Sequence, residues 1–149
     1  MFDYIHHDGA AAVVAVNEDG KLMMVRQYRN ALDRFTLELP AGKLDEPDEP
    51  TLECAKRELE EETGYKSDNF EYLLTVNTTV AFCNEKIDIY LARDLVKSEQ
   101  NLDEDEEINV ELWDIEDLKQ MIYEGKITDG KTVAAIMTYA AKYHVNQGQ

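Results

Sequence analysis

From Ala10 the chain runs through seven consecutive apolar residues, AAAVVAV (10–16), and stops at NEDG, a turn signal. The next apolar stretch, KLMMVRQYR (21–29), reads as a second strand, and the short spacing predicts a β-hairpin between the two. FTLELPAG (35–42) reads as a short strand broken by Pro40 and Gly42, and KLDEPDEP as an acidic loop. Leu52, Ala55 and Leu59 then recur at helical spacing and predict one apolar helix face. Asp48 or Glu49 stands where a cap is expected, Pro50 fits a first helical position, and Gly64 fits a C-cap. FEYLLTVNTTV (70–80), KIDIYLAR (86–93) and INVELWDI (108–115) read as strands. DIEDLKQMIYEG (114–125) and DGKTVAAIMTYAAKYHV (129–145) read as helices. Strands and helices alternate, yet several neighbouring strands have short connections. That combination predicts an α/β domain with a mixed sheet between helices, one domain spanning 1–149.

Charge narrows the chemistry. Against 15 Lys+Arg stand 32 Asp+Glu, a formal net charge of −17. Such a field repels a nucleic-acid backbone and an anionic membrane surface, so neither is expected as a partner. No apolar run reaches membrane-span length, and MFDYIHHDG lacks the basic start and apolar core of a signal peptide. Cys54 and Cys83 have no metal-pair spacing and read as reduced thiols of a cytoplasmic protein. His6 and His7 read as a surface or capping pair, and the acidic run Asp103 to Glu107 as a solvated turn.

The segment RELEEETG (57–64) resists that bland reading. It crowds acids at a helix C-terminus, where the macrodipole disfavours them, and Glu58 and Glu62 form a like-charge i,i+4 pair. At about 100° per residue, Glu61 and Glu62 lie within about 60° of Glu58, so the three carboxylates can converge on one point. Clustered hard oxygens suit a hard divalent cation, Mg²⁺ or Mn²⁺.

GKLDEPDEPTLECAKRELEEETGY (42–65) resembles the Nudix box, the signature of the Nudix hydrolases. Arg57, Glu58, Leu59, Glu61, Glu62, Gly64 and Tyr65 fit its second half. The interval from Gly42 to Arg57 is one residue longer than the family's, so either Asp48 or Glu49 stands at the position that pairs with Arg57. The resemblance implies an α/β/α sandwich and a metal-assisted attack of water on a nucleoside diphosphate linked to another group. It implies that Glu58 and Glu62 hold metal, that Glu61 is a ligand or base, that the main-chain carbonyl of Ala41 adds a ligand, and that Arg57 orients the glutamates.

VRQYR (25–29), ELPAGKLD (38–45) and AFCNEKIDIYLA (81–92) further resemble the ADP-ribose pyrophosphatase branch. That likeness implies Arg26 or Arg29 as a substrate contact beside Gly42, and Glu85 as the general base. Strand alternation puts residues 26 and 29 on opposite faces, and Arg29 is preferred. Val80 and Ala81 depart from the branch, which usually has proline and glycine there. The expected substrate is ADP-ribose or a related nucleotide sugar, split to AMP and a sugar phosphate. The alternatives are a nucleoside triphosphate or dinucleotide pyrophosphohydrolase and a non-catalytic nucleotide sensor. A homodimer is left open.

Overall fold

The structure, a computed structural model, describes residues 9–78, 85–102 and 108–143. The readings of His6, His7, Val80, Ala81, Cys83 and the run Asp103 to Glu107 lie outside these residues.

β1 (Ala10–Ala15) is buried at all six positions. It lies inside a four-stranded sheet, between β4 (Ala41–Lys43), antiparallel to it, and β7 (Lys86–Arg93), parallel to it. β6 (Asn69–Asn77) completes this mixed sheet by pairing antiparallel with β7. A second, antiparallel sheet is ordered β3 (Arg34–Glu38), β2 (Leu22–Arg29), β9 (Ile108–Trp113). A short pair, β5 (Tyr65–Lys66) with β8 (Val96–Lys97), was not anticipated.

The expected hairpin of 10–16 with 21–29 does not form. The turn is there, with Asn17 Oδ1 accepting from the Asp19 and Lys21 amides, but a single bridge, Val16 to Leu22, joins the two strands. Beyond it they part into different sheets. An uninterrupted apolar run belongs to a strand covered on both faces, and both edges of β1 are already taken by β4 and β7.

Two-residue alternation decides what each face of β1 meets. Ala11, Val13 and Ala15 pack with Cys54, Ala55 and Leu59 of α1 (Thr51–Thr63). Ala10, Ala12 and Val14 belong to the larger core on the other side. There Leu118 of α2 (Ile115–Tyr123) and Ile136 and Tyr139 of α3 (Gly130–Tyr143) are buried. The result is the expected layering of helix, mixed sheet and helices.

Helix α1 corrects two expectations about its start. Pro50 is the N-cap in extended conformation, not the first helical residue, and neither Asp48 nor Glu49 caps it. Cys54 is buried with Ala55 and Leu59, while Leu52 is only half-buried. The far end is as expected: Gly64 adopts φ 78°, and its N–H donates to the Glu60 carbonyl.

Pro40 marks the crossing between the sheets. β3 ends at Glu38 in one sheet, β4 begins at Ala41 in the other, and the Pro40 carbonyl accepts from Val13 N–H at 3.0 Å. This crossing lays Ala41 and Gly42 over the last turns of α1.

Candidate active site

Contact between β4 and α1 is unusually close at Gly42. A Cβ built there would lie 2.2 Å from Cδ of Glu58 and 2.4 and 2.5 Å from its carboxylate oxygens. Only glycine leaves that carboxylate its place. One turn along, Ala41 N–H donates to Glu62 Oε1 at 3.0 Å, so both glutamates are set against the same short strand.

Arg57 fixes Glu58 from the other side. Its Nη1 donates to Glu58 Oε2 at 2.7 Å and its Nη2 to Glu49 Oε1 at 2.8 Å, while Asp45 Oδ2 lies 3.1 Å from its Nε. The acid paired with Arg57 is therefore Glu49; Asp48 is exposed. The extra residue of the loop is absorbed ahead of Glu49, whose carboxylate also accepts from Asp45 N–H at 2.9 Å. Burial pushes the Glu58 carboxyl up to about 7; Arg57 opposes that rise, and the charge of Glu61 adds to it.

Glu58, Glu62 and Glu85 line one cleft of about 450 Å³ together with Ala41, Gly42 and Arg29. Glu85 is held at the start of β7, where Thr78 Oγ1 donates to its Oε1 at 3.1 Å. Glu61 does not line this cleft. It borders a neighbouring hollow with Arg57, Ser98 and Gln100. Arg26 is also elsewhere: it makes a two-point ion pair with Glu111 on β9, at 2.6 and 3.1 Å. The opposite facing of residues 26 and 29 thus leaves Arg29 alone of the two in the cleft.

A divalent cation fits this donor set. Half-buried Glu58 and buried Glu62 line the same cleft, Glu58 is raised by desolvation and a like charge, and a cation would relieve both effects. Among the described residues no three His, Cys, Asp or Glu side chains are grouped tightly enough to enclose a metal by themselves.

Sequence reasoning named Arg29 but missed the two residues beside it, Glu38 and Lys131. Glu38 is 4% exposed. It accepts from Arg29 Nε and Nη2 at 2.8 and 2.7 Å, from Thr36 Oγ1, and from Lys131 Nζ at 3.0 Å. Lys131 also donates to Asp129 Oδ2 at 2.8 Å and lines the cleft. Lys131 comes from the first turn of α3, remote in sequence from every motif, so only the tertiary structure brings it here.

Burial alone would push the Glu38 carboxyl up, but Arg29, Lys131 and Thr36 outweigh it and hold the group down at about 2, against an unfolded value of 4.5. A depressed carboxyl stabilises the fold above its unfolded pKa, and that stability is lost as the pH falls towards the folded one. Between about pH 4.5 and 2 the protein is expected to lose about 3 kcal/mol through this one group. Urea unfolding across that range should show Glu38→Gln less stable than the parent at neutral pH and a gap that narrows with acid. A gap that stays constant would contradict this account.

Comparison with known proteins places the chain. The NUDIX domain model matches residues 6–136. The methanol dehydrogenase activator of Bacillus methanolicus is 40% identical over 136 residues, 90% of this chain and 73% of that protein. The ADP-ribose pyrophosphatase of Bacillus subtilis (strain 168) is 38% identical over the same shares. A crystal structure of an ADP compounds hydrolase superposes with a TM-score of 0.81 at 24% identity, covering 94% of this chain and 74% of that one. The sequence match across the box and the shared fold leave one assignment: the chain belongs to the Nudix family.

Proposed function

We propose that this protein hydrolyses a nucleoside diphosphate linked to a second group, with ADP-ribose or a related nucleotide sugar as substrate and AMP and a sugar phosphate as products. The observation that carries the reading is the shared cleft, with Glu58, Glu62 and Glu85 on its walls and Arg29 beside them. The names of the relatives at 38% and 31% identity, both ADP-ribose pyrophosphatases, support the same substrate class.

Glu58 and Glu62 would hold Mg²⁺, or Mn²⁺ in its place, with Glu61 adding charge from the next turn and the Ala41 carbonyl as a further oxygen. When bound, the ion offsets phosphate charge and acidifies water. Arg57 keeps the Glu58 carboxylate in register through the 2.7 Å bond. Glu85 takes the proton of the attacking water. A new oxygen–phosphorus bond forms, and the bridging oxygen leaves with the electron pair of the bond that breaks. Arg29 contacts the phosphate oxygens. No helix among the described residues is long and apolar enough to cross a membrane. Cys54, a buried free thiol, suits a reducing cytoplasmic setting.

The test is a panel with Mg²⁺: ADP-ribose, other nucleotide sugars, a dinucleotide and a nucleoside triphosphate, each assayed for released AMP and phosphate. ADP-ribose or a nucleotide sugar should have the highest kcat/KM. Preference for the triphosphate would replace the substrate class, and no hydrolysis of any member would favour a sensor.

A further inference from the structure

The wall formed by Arg29 and Lys131 has an unusual economy of hydrogen bonds. Glu38 accepts four of them, two on each oxygen, so its acceptor sites are filled. Its two cationic partners come from different elements, Arg29 from β2 and Lys131 from α3. A lysine ammonium has three donors, and among the described residues Lys131 reaches two acceptors, Glu38 Oε1 and Asp129 Oδ2. Arg29 engages Glu38 through Nε and Nη2, and the charges of Asp129 and Glu62 also act on it. Nζ of Lys131 and Nη2 of Arg29 bind the same carboxylate oxygen, so the two cations are held as neighbours. Both line the cleft that contains Glu58, Glu62 and Glu85, and both also border the adjoining hollow, which Glu38 and Asp129 line without reaching the cleft.

Glu38 and Asp129 balance the two cations and hold them together at the edge of the cleft. Two cations are pressed together in a protein whose net charge of −17 leaves no shortage of acids to separate them. Burial lowers the Lys131 ammonium, but Glu38 and Asp129 outweigh it and keep the side chain charged. Its side chain is 14% exposed, so an anion reaching it would meet a charge little screened by water.

We propose that Lys131 is a substrate contact, which with Arg29 binds the phosphate oxygens that face away from the glutamates. Glu38 is the positioning residue that holds the two donors side by side. The assignment rests on the diphosphate reading above. It divides the cleft between an anionic wall that holds a cation and a cationic wall that holds phosphate directly.

Inorganic pyrophosphate with Mn²⁺ is the probe, titrated calorimetrically into the whole chain and its variants. Lys131→Met keeps the length of the stem and removes the charge. It is expected to weaken pyrophosphate binding about tenfold or more, the effect of one lost charge-assisted hydrogen bond. Its affinity for Mn²⁺ alone should stay within about twofold, since Lys131 is held by Glu38 and Asp129. Lys131→Arg should retain pyrophosphate binding within about threefold. Asp129→Asn, which weakens the competing acceptor, should leave pyrophosphate binding unchanged or tighter, and Lys131→Gln, which should weaken it as Lys131→Met does, decides the matter if Lys131→Met does not fold. Parent-like pyrophosphate binding by Lys131→Met, weakened binding by Asp129→Asn, or no binding by the parent would overturn the proposal. If the parent binds pyrophosphate yet hydrolyses no diphosphate compound, the reading of the reaction fails while the titration still decides the role of Lys131.

Discussion

Replacing Glu62 by Gln should lower kcat by about a hundredfold or more, roughly 3 kcal/mol of transition-state stabilisation, without destabilising the fold. The substitution keeps the side chain's shape and an oxygen that can still accept from Ala41 N–H, so the tie to β4 survives. It removes a negative charge from a residue 8% exposed, in the last turn of a helix, one turn beyond Glu58. The helix dipole and the i,i+4 repulsion disfavour that charge, against the attraction of Arg29. Thermal unfolding should therefore show Gln at 62 equal to or more stable than the parent. The signs are opposed: activity falls while stability holds or rises. A structural glutamate would give the reverse, a drop in Tm with turnover preserved in the folded fraction. Measured together, kcat with Mg²⁺ and Tm separate the two, and parent-like turnover would remove Glu62 from the catalytic machinery.

Much of this architecture was legible because the signals were local. The β7 reading at 86–93 matches the observed strand at both ends, since IDIYL alternates between buried and half-buried positions after Lys86. Gly64 stopped α1 where a left-handed residue was needed. The failures share a different cause. Whether AAAVVAV pairs with its sequence neighbour or with a strand about 75 residues on is a contest between sheet edges, and nothing within the run itself records the outcome. Pro50 shows how a functional demand outranks a cap: Glu49 is engaged by Arg57 instead of the helix N-terminus. At the site, RELEEETG placed Glu58 and Glu62 together, but not Glu61, whose position on the wheel lets it face a neighbouring hollow. The cationic wall was half legible: Arg29 was expected in the cleft, but Lys131, which meets Glu38 across 93 positions of sequence, sits in no motif.

Gly42→Ala tests the close approach that defines the site, and it should lower kcat by about ten- to a hundredfold with little loss of stability. The backbone at Gly42 does not have a positive φ, so alanine can adopt it without strain. The conflict is with the Glu58 carboxyl, 2.2 to 2.5 Å from the new methyl. That group is the end of a flexible side chain, so it can swing aside at small cost to folding, within about 1 kcal/mol. Swinging aside breaks the 2.7 Å bond from Arg57 and moves the carboxylate from the position it holds beside Glu62. A displacement of about 1 Å in a reacting geometry can cost about a hundredfold. Affinity for Mn²⁺ should weaken in parallel, because the displaced oxygen belongs to the set that would hold the ion. The companion variant Gly42→Ala with Glu58→Asp withdraws the carboxylate by one methylene and opens room for the methyl group. If crowding at Glu58 is the cause, the double variant should bind Mn²⁺ more tightly than Gly42→Ala alone, and the coupling between the substitutions should favour the pair. Parent-like turnover in Gly42→Ala would show that the contact is not needed. Strict additivity would show that the harm lies elsewhere in β4.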